Sequence, residues 1–213
     1  MRPNLLFIII FYGLSFGLLS STAVLAQSQK DLTIPYSITI TSRHPGTNIA
    51  ETYNGGIETL FAGAHQARLR LVSLMRIQSV FVVMDKDLLK NVILIKESGN
   101  SRHHAAFTPV QWMQYNTKYA GATCHLTRDT AAILNHICQK AIISLKDGRQ
   151  LIAWYVPSVQ RHVFSYLEPA FSQVPGLVLK YTYTYKKKTI TYTATSISNT
   201  PISADILTAP ADK

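Results

Sequence analysis

The side chains of this sequence best able to hold a metal or attack a substrate are two cysteines and seven histidines, and four of them stand close together. Cys124, His125, His136 and Cys138 read Cys-His-x₁₀-His-x-Cys. A Cys₂His₂ zinc site, one disulfide closing the intervening loop, and two buried free thiols are all compatible with those residue types. The spacing is not a usual zinc pattern, so no metal is assigned, and Cys124 and Cys138 are kept as the disulfide candidates. His103 and His104 are adjacent, so in a strand they would point to opposite faces and could not share a metal. No Cys-x-x-Cys pair is present to activate a thiol. Downstream of residue 26 no serine sits in a Gly-x-Ser-x-Gly elbow, and no glycine-rich phosphate loop occurs. Carboxylates are scarce, eleven in all, and Glu58, Glu97 and Glu168 are isolated. With no constellation to do bond chemistry, the chain is expected not to be an enzyme, and neither catalytic residues nor cofactors are assigned.

The compartment follows from the first twenty-six residues. Arg2 gives a basic start, the run 5–19 is almost wholly apolar, and Val24-Leu25-Ala26 has the small residues of a cleavage site. That run is short for a spanning helix and gives way to Ser20-Ser21-Thr22. Residues 1–26 are therefore expected to be a signal peptide removed near Ala26, leaving a periplasmic or secreted protein. No cysteine follows the cleavage position, which excludes lipid attachment there. An oxidising compartment favours the disulfide over the zinc site. The formal charge of +10 falls by one, to +9, with Arg2 gone. That balance suits lipid headgroups or other anionic surfaces, and equally a plain solubility role. Nucleic acid is not an expected partner, since the chain is exported and carries no stacking or groove-reading motif.

Residues 27–213 are enough for one domain with a full core, and their patterning is that of strands. Ile34, Tyr36, Ile38 and Ile40 alternate with small polar residues. Further strands are expected at 57–62, 67–75, 79–85, 91–97, 141–145 and 150–156, with Asp147-Gly148 as a tight turn. Thr108-Pro109 is a helix start, N-cap then proline, and Val110, Met113 and Trp112 would give that helix its apolar side. Residues 157–176 hold three prolines and read as an irregular crossing. In the last hairpin Leu177, Leu179, Tyr181, Tyr183 and Tyr185 share a face, with Ile190 and Tyr192 after a turn of Lys186, Lys187 and Lys188. Such a tyrosine ladder suits either ordinary core or an apolar groove with polar tips. The lysines suit a solvated turn or contact with an anionic surface.

Residues 127–155, with Ile137-Cys138-Gln139-Lys140-Ala141, the Asp-Gly turn and Ile152-Ala153-Trp154-Tyr155, resemble exported proteins of Bacteroidetes-type envelopes: the GLPGLI family and a related family of unknown function. Val174-Pro175-Gly176-Leu177 is similar to their Pro-Gly-Leu element, and the tail from Ile206 to their strand-then-Pro-x-Asp ending. Asn135 stands where that pattern has glycine, and Asn tolerates a left-handed backbone. The resemblance implies the periplasmic lipoprotein-carrier fold (LolA/LolB-like). That is a mainly β, α+β architecture: a curved antiparallel sheet or open half-barrel, with one or two short helices on its concave face. It points to an apolar or lipid-like ligand lying against Trp154, Leu177, Leu179, Tyr181, Tyr183 and Tyr192, with Lys186–Lys188 as an anionic-surface contact. The alternative is a structural or protein-interaction component of the envelope with no small-molecule ligand.

Overall fold

The computed structural model describes residues 31–42, 53–86, 88–157, 159, 162–185 and 188–211. The alternation around Tyr36 forms β1 (Leu32–Ser42), with Leu32, Ile34, Tyr36 and Ile38 buried. A meander follows through β2 (Ile57–Ala62), β3 (Gln66–Val72), β4 (Ile77–Asp85), β5 (Leu88–Ser98) and β6 (Ser101–Phe107). Next come α1 (Pro109–Tyr115) and a 3₁₀ turn at Thr117–Tyr119. A second meander comprises β7 (Thr123–Ile133), β8 (His136–Ser144), β9 (Gln150–Val156), β10 (Leu177–Tyr185) and β11 (Lys188–Ala194). Helix α2 (His162–Leu167) and a 3₁₀ turn at Pro169–Phe171 precede β10, and α3 (Ala204–Leu207) follows β11. β1 pairs with β11, Ile38 opposite Tyr192, and this joins both meanders into one eleven-stranded antiparallel sheet. The sheet is not closed: β6 and β7, consecutive in sequence, are its two ends. No helix among the described residues is long and apolar enough to cross a membrane.

The expected strands at 57–62 and 150–156 coincide with β2 and β9, and the Asp147-Gly148 turn closes the hairpin between β8 and β9, Gly148 with φ +81°. The two-residue turn between β7 and β8 puts Leu134 at φ +48° and Asn135 at φ +63°, a left-handed pair of the kind a tight hairpin demands. Asn135 thus serves where glycine would be the default.

Several expectations are corrected. β6 and β7 were not foreseen, because 101–107 and 123–133 are rich in Ser, Arg, His and Thr. Both are edge strands, where polar residues are tolerated on both faces. Thr108 does cap α1, its hydroxyl accepting from Gln111 N while Gln111 Oε1 accepts from Thr108 N. The buried side of that helix, however, is Trp112 alone; Val110 and Met113 face solvent at 58% and 64% exposure. Trp112 wins because its indole N–H reaches the Tyr166 carbonyl at 2.8 Å while its ring packs on Phe107 and Tyr115. The tail at Ile206-Leu207 is the end of α3, where the family pattern implied a strand.

Cys124 and Cys138 are free thiols. The hairpin register sets Cys124 opposite Ile143 and Cys138 opposite Ala131. Five residues of strand separate those rungs, about 17 Å at strand rise, against the roughly 7 Å a disulfide allows between Cα atoms. Burial pushes both thiols up, so neither is an activated nucleophile.

Candidate functional site

Two faces of the sheet carry different chemistry. One packs Ile34, Tyr36, Ile38, Leu60, Val80, Leu94, Tyr155 and Leu179 into the main core. On the other, Arg68 stands opposite Phe61 and Phe81, one residue out of phase with Leu69. There α3 packs on β2 and β3.

The core face is incompletely filled. A cavity of about 490 Å³ opens among β2–β5, β9–β11, α1 and the α2–β10 connection. Its walls include Leu69, Val80, Leu94, Leu151 and Ile190 from the strands, with Trp112, Tyr115, Leu167 and Phe171 from the helical segments. Tyr181 and Tyr192 stack at 4.3 Å between ring centres, nearly parallel, with Phe171 edge-on to Tyr181 at 4.9 Å. Cross-strand pairing causes the stack, since Tyr181 of β10 lies directly opposite Tyr192 of β11. A smaller cavity of about 290 Å³ adjoins it, sharing Leu167, Glu168 and Phe171 and adding Tyr36, Leu60 and Leu177.

Two carboxyls face the main cavity, Glu58 and Glu168. Glu58 sits in β2 on the same face as Leu60 and Ala62 and is 7% exposed. The Tyr181 hydroxyl donates to its Oε1 at 2.9 Å. Burial raises the Glu58 pKa from about 4.5 to about 7, with the Tyr181 hydrogen bond opposing the rise. Glu168 as a residue keeps some surface open, but its carboxyl is buried; burial and then the charge of Glu58 push it well above the usual carboxylate range, with Tyr181 again opposing. Like charges in one desolvated site resist double ionisation, so the pair retains a proton around neutral pH. Burial, followed by the Glu58 charge, also drives the hydroxyls of Tyr181 and Tyr192 upward, so both stay neutral.

Cations occupy the same cavity's polar margin. Lys96 Nζ lies 3.0 Å from Tyr115 Oη, Lys118 Nζ sits 4.7 Å above the Tyr119 ring, and Arg149 pairs with Asp147 at 2.6 Å. The described lining contains no histidine, serine or cysteine. Among the described residues no three metal-ligating side chains gather in one place.

Of the residues chosen from sequence, Tyr181, Tyr183 and Tyr192 line the main cavity together, and Leu177 lines the smaller one. Leu179 is wholly buried at an irregularity between Val178 and Lys180 and borders neither. Trp154 is corrected: it stands opposite Lys180 and Lys140, between Ala153 and Tyr155, and so occupies the face away from the tyrosine stack. Its ring lies 5.9 Å from Lys140 Nζ. Lys186 and Lys187 fall outside the described residues, as does the segment 1–26; Lys188 opens β11 opposite Tyr185 and Ser42. Sequence reasoning passed over Glu58 and Glu168. A faint signal existed for Glu58, a carboxylate in phase with Leu60 and Ala62, but Ile57 and Phe61 make the opposite phase look equally buried. Glu168 stands between α2 and the 3₁₀ turn Pro169–Phe171, helical turns in a stretch expected from its prolines to be irregular throughout, and gives no signal.

No protein-family model matches the chain, and no curated protein does. Among solved structures it is similar to PNGF-II at 14% identity and TM-score 0.45, covering 80% of this chain and 28% of that one. It is similar to MucB at 13% identity and TM-score 0.42, covering 87% of this chain and 59% of that one. A β-barrel-like protein of a domain of unknown function, DUF1849, from Brucella abortus is 9% identical with TM-score 0.43, covering 79% of this chain and 97% of that one. The chain thus spans under two thirds of the first two.

Proposed function

We propose that this chain is an exported, non-enzymatic binding protein that holds an apolar or lipid-like ligand in the cell envelope. The observation that carries the reading is the main cavity, about 490 Å³ and walled by leucines, Val80 and stacked aromatic rings. Its size falls within the roughly 300–1,000 Å³ of small-molecule sites. Binding works by burial, at about 25 cal/mol for each Å² of apolar ligand surface removed from water.

The half-barrel with its helices on the concave side belongs to the same reading. Eleven strands laid flat would set β6 and β7 about 48 Å apart. The connection between them, 108–122, spends ten residues in helical turns and reaches only about 40 Å, which favours a sheet curled around α1. The basic start, apolar run and small residues of 1–26 support export, and Lys186–Lys188 would meet an anionic membrane surface.

Native mass spectrometry on protein purified gently from its own envelope fraction tests the proposal. The expected result is a stoichiometric apolar adduct lost on solvent extraction. A bare chain that also fails to take up an apolar fluorescent probe would overturn it. The second reading, a protein-interaction component of the envelope, is favoured by the exposed apolar tip of the β3–β4 turn, where Leu74 is 90% and Met75 62% exposed. A bare chain recovered with a stoichiometric protein partner, lost on Leu74→Ser, would move that reading to first place.

A further inference from the structure

Resting on the reading of the main cavity as a ligand site, we propose that Glu58 and Glu168 recognise a protonated amine. The cavity then takes an apolar molecule carrying one alkylammonium group, its nitrogen against the two carboxyls and its hydrocarbon along the tyrosine stack.

Glu58 and Glu168 are two acids that line one cavity. Glu58 is held through one oxygen by Tyr181, and among the described residues no lysine or arginine forms an ion pair with either carboxyl. A buried carboxylate normally has a cation or several N–H donors. Here the place for a cation is the cavity itself. An ammonium group brings three donors to two carboxyls that face this cavity. The ring faces of Tyr181 and Tyr192 add a second attraction, since an aromatic face is electron-rich toward a cation.

The competing chemistries fit less well. A fatty acid placed with its carboxylate inward would add a third acid to the pair. An uncharged hydrocarbon would cover the carboxyls and leave their acceptors unused. The cations on the same cavity, Lys96, Lys118 and Arg149, argue for an anion at the margin, but Lys96 and Lys118 are exposed and Arg149 is already paired with Asp147. Their repulsion of an incoming amine is screened within about 8 Å at physiological salt, whereas the attraction of the desolvated pair is not. The other titratable groups facing the pair are Tyr36 of β1, Tyr181 and Tyr183 of β10 and Tyr192 of β11, all kept neutral by burial. Seating an ammonium therefore favours the ionised carboxyls, and binding releases protons to solvent.

Isothermal titration of the purified protein near neutral pH, with 1-aminodecane, decan-1-ol and decanoate as probes, tests this. Running each in two buffers of different ionisation enthalpy counts the protons. The amine is expected to bind about tenfold or more tightly than the alcohol, with decanoate weakest, and to release protons. Glu58→Gln and Glu168→Gln, each neutral and nearly isosteric, should each lower amine affinity by about tenfold and diminish proton release. Amine binding no tighter than decanol, or decanoate binding tightest, overturns the proposal while leaving an apolar site in place. Amine binding that neither variant weakens overturns it too, and no binding of any probe overturns both this inference and the reading beneath it.

Discussion

Glu58 and Arg68 lie on neighbouring strands, β2 and β3, on opposite faces of the sheet, and the molecule treats the two charges differently. Arg68 is thoroughly partnered: Nε and Nη2 donate to Ser79 Oγ at 3.3 and 3.0 Å, and Nη1 donates to the Ile206 carbonyl at 3.3 Å. Its guanidinium also rests 4.7 Å above the Phe81 ring. Glu58 is more deeply buried, yet among the described residues its hydrogen-bond donor is the Tyr181 hydroxyl and its ionisable neighbour is another acid. On the face where α3 packs, the chain supplies all the partners itself. On the cavity face it sets two acids against one opening, and no described lysine or arginine pairs with either. Two acids that face one cavity, both held above the usual carboxylate range by burial, mark that face as the candidate site.

The largest expected effect tests whether Glu58 really costs stability. Its folded pKa of about 7 stands above the ordinary value of about 4.5, so the folded state binds the proton more tightly. That contribution is complete below about pH 4.5 and is lost as pH rises through about 7, a change on the order of 3 kcal/mol. Glu58→Gln removes it. Urea unfolding should therefore show the variant gaining on the parent by about 3 kcal/mol between acid and mildly alkaline pH. A difference that stays flat with pH would erase the contrast with Arg68.

Arg68→Ala should act in the opposite sense, destabilising by about 2 kcal/mol through lost hydrogen bonds and ring contact, equally across that pH range. A loss under about 0.5 kcal/mol in the same unfolding assay would mean that its partners contribute little.

Tyr181→Phe sharpens the comparison further. It deletes the donor that favours the ionised carboxyl, so the Glu58 titration should move above 7, followed by carboxyl ¹³C shifts, with a stability change of about 1 kcal/mol. A downward movement would show that Tyr181 does not act on Glu58 in this way.

The smallest effect belongs to an exposed pair. Lys140 Nζ meets Asp129 Oδ2 at 2.9 Å, but both are partly open to water. Asp129→Asn should change stability by about 0.5 kcal/mol or less, declining further in salt. A larger effect in the unfolding assay would mean that proximity matters more than desolvation.

Much of the sheet was readable from local pattern. The β1 alternation, the Asp147-Gly148 turn, the Thr108-Pro109 start and the tyrosine hairpin each rest on chemistry within a few residues, and each lies where that chemistry puts it. β6 and β7 escaped because an edge strand has no second neighbour to demand apolar residues. The side-chain partners escaped for a different reason. Alternation along β9 separates Trp154 from Tyr155, but only the pairing of Ala153 with Tyr181 says which of the two faces the stack. The disulfide candidates failed in the same way, because a spacing in sequence does not fix the rung on which each cysteine stands.

By itself, the sequence determined that this chain makes a mainly antiparallel β domain with a few short helices and an apolar, tyrosine-rich hairpin. Period-two patterning, turn residues and helix caps are local energies, and they act wherever the chain goes. Tertiary structure alone decided that β1 meets β11, that Arg68 finds Ser79 and Ile206, and that Glu58 and Glu168 come to share one cavity. Those outcomes depend on register between distant strands. Register is set by the collective burial of a whole face, and no short stretch of sequence contains it.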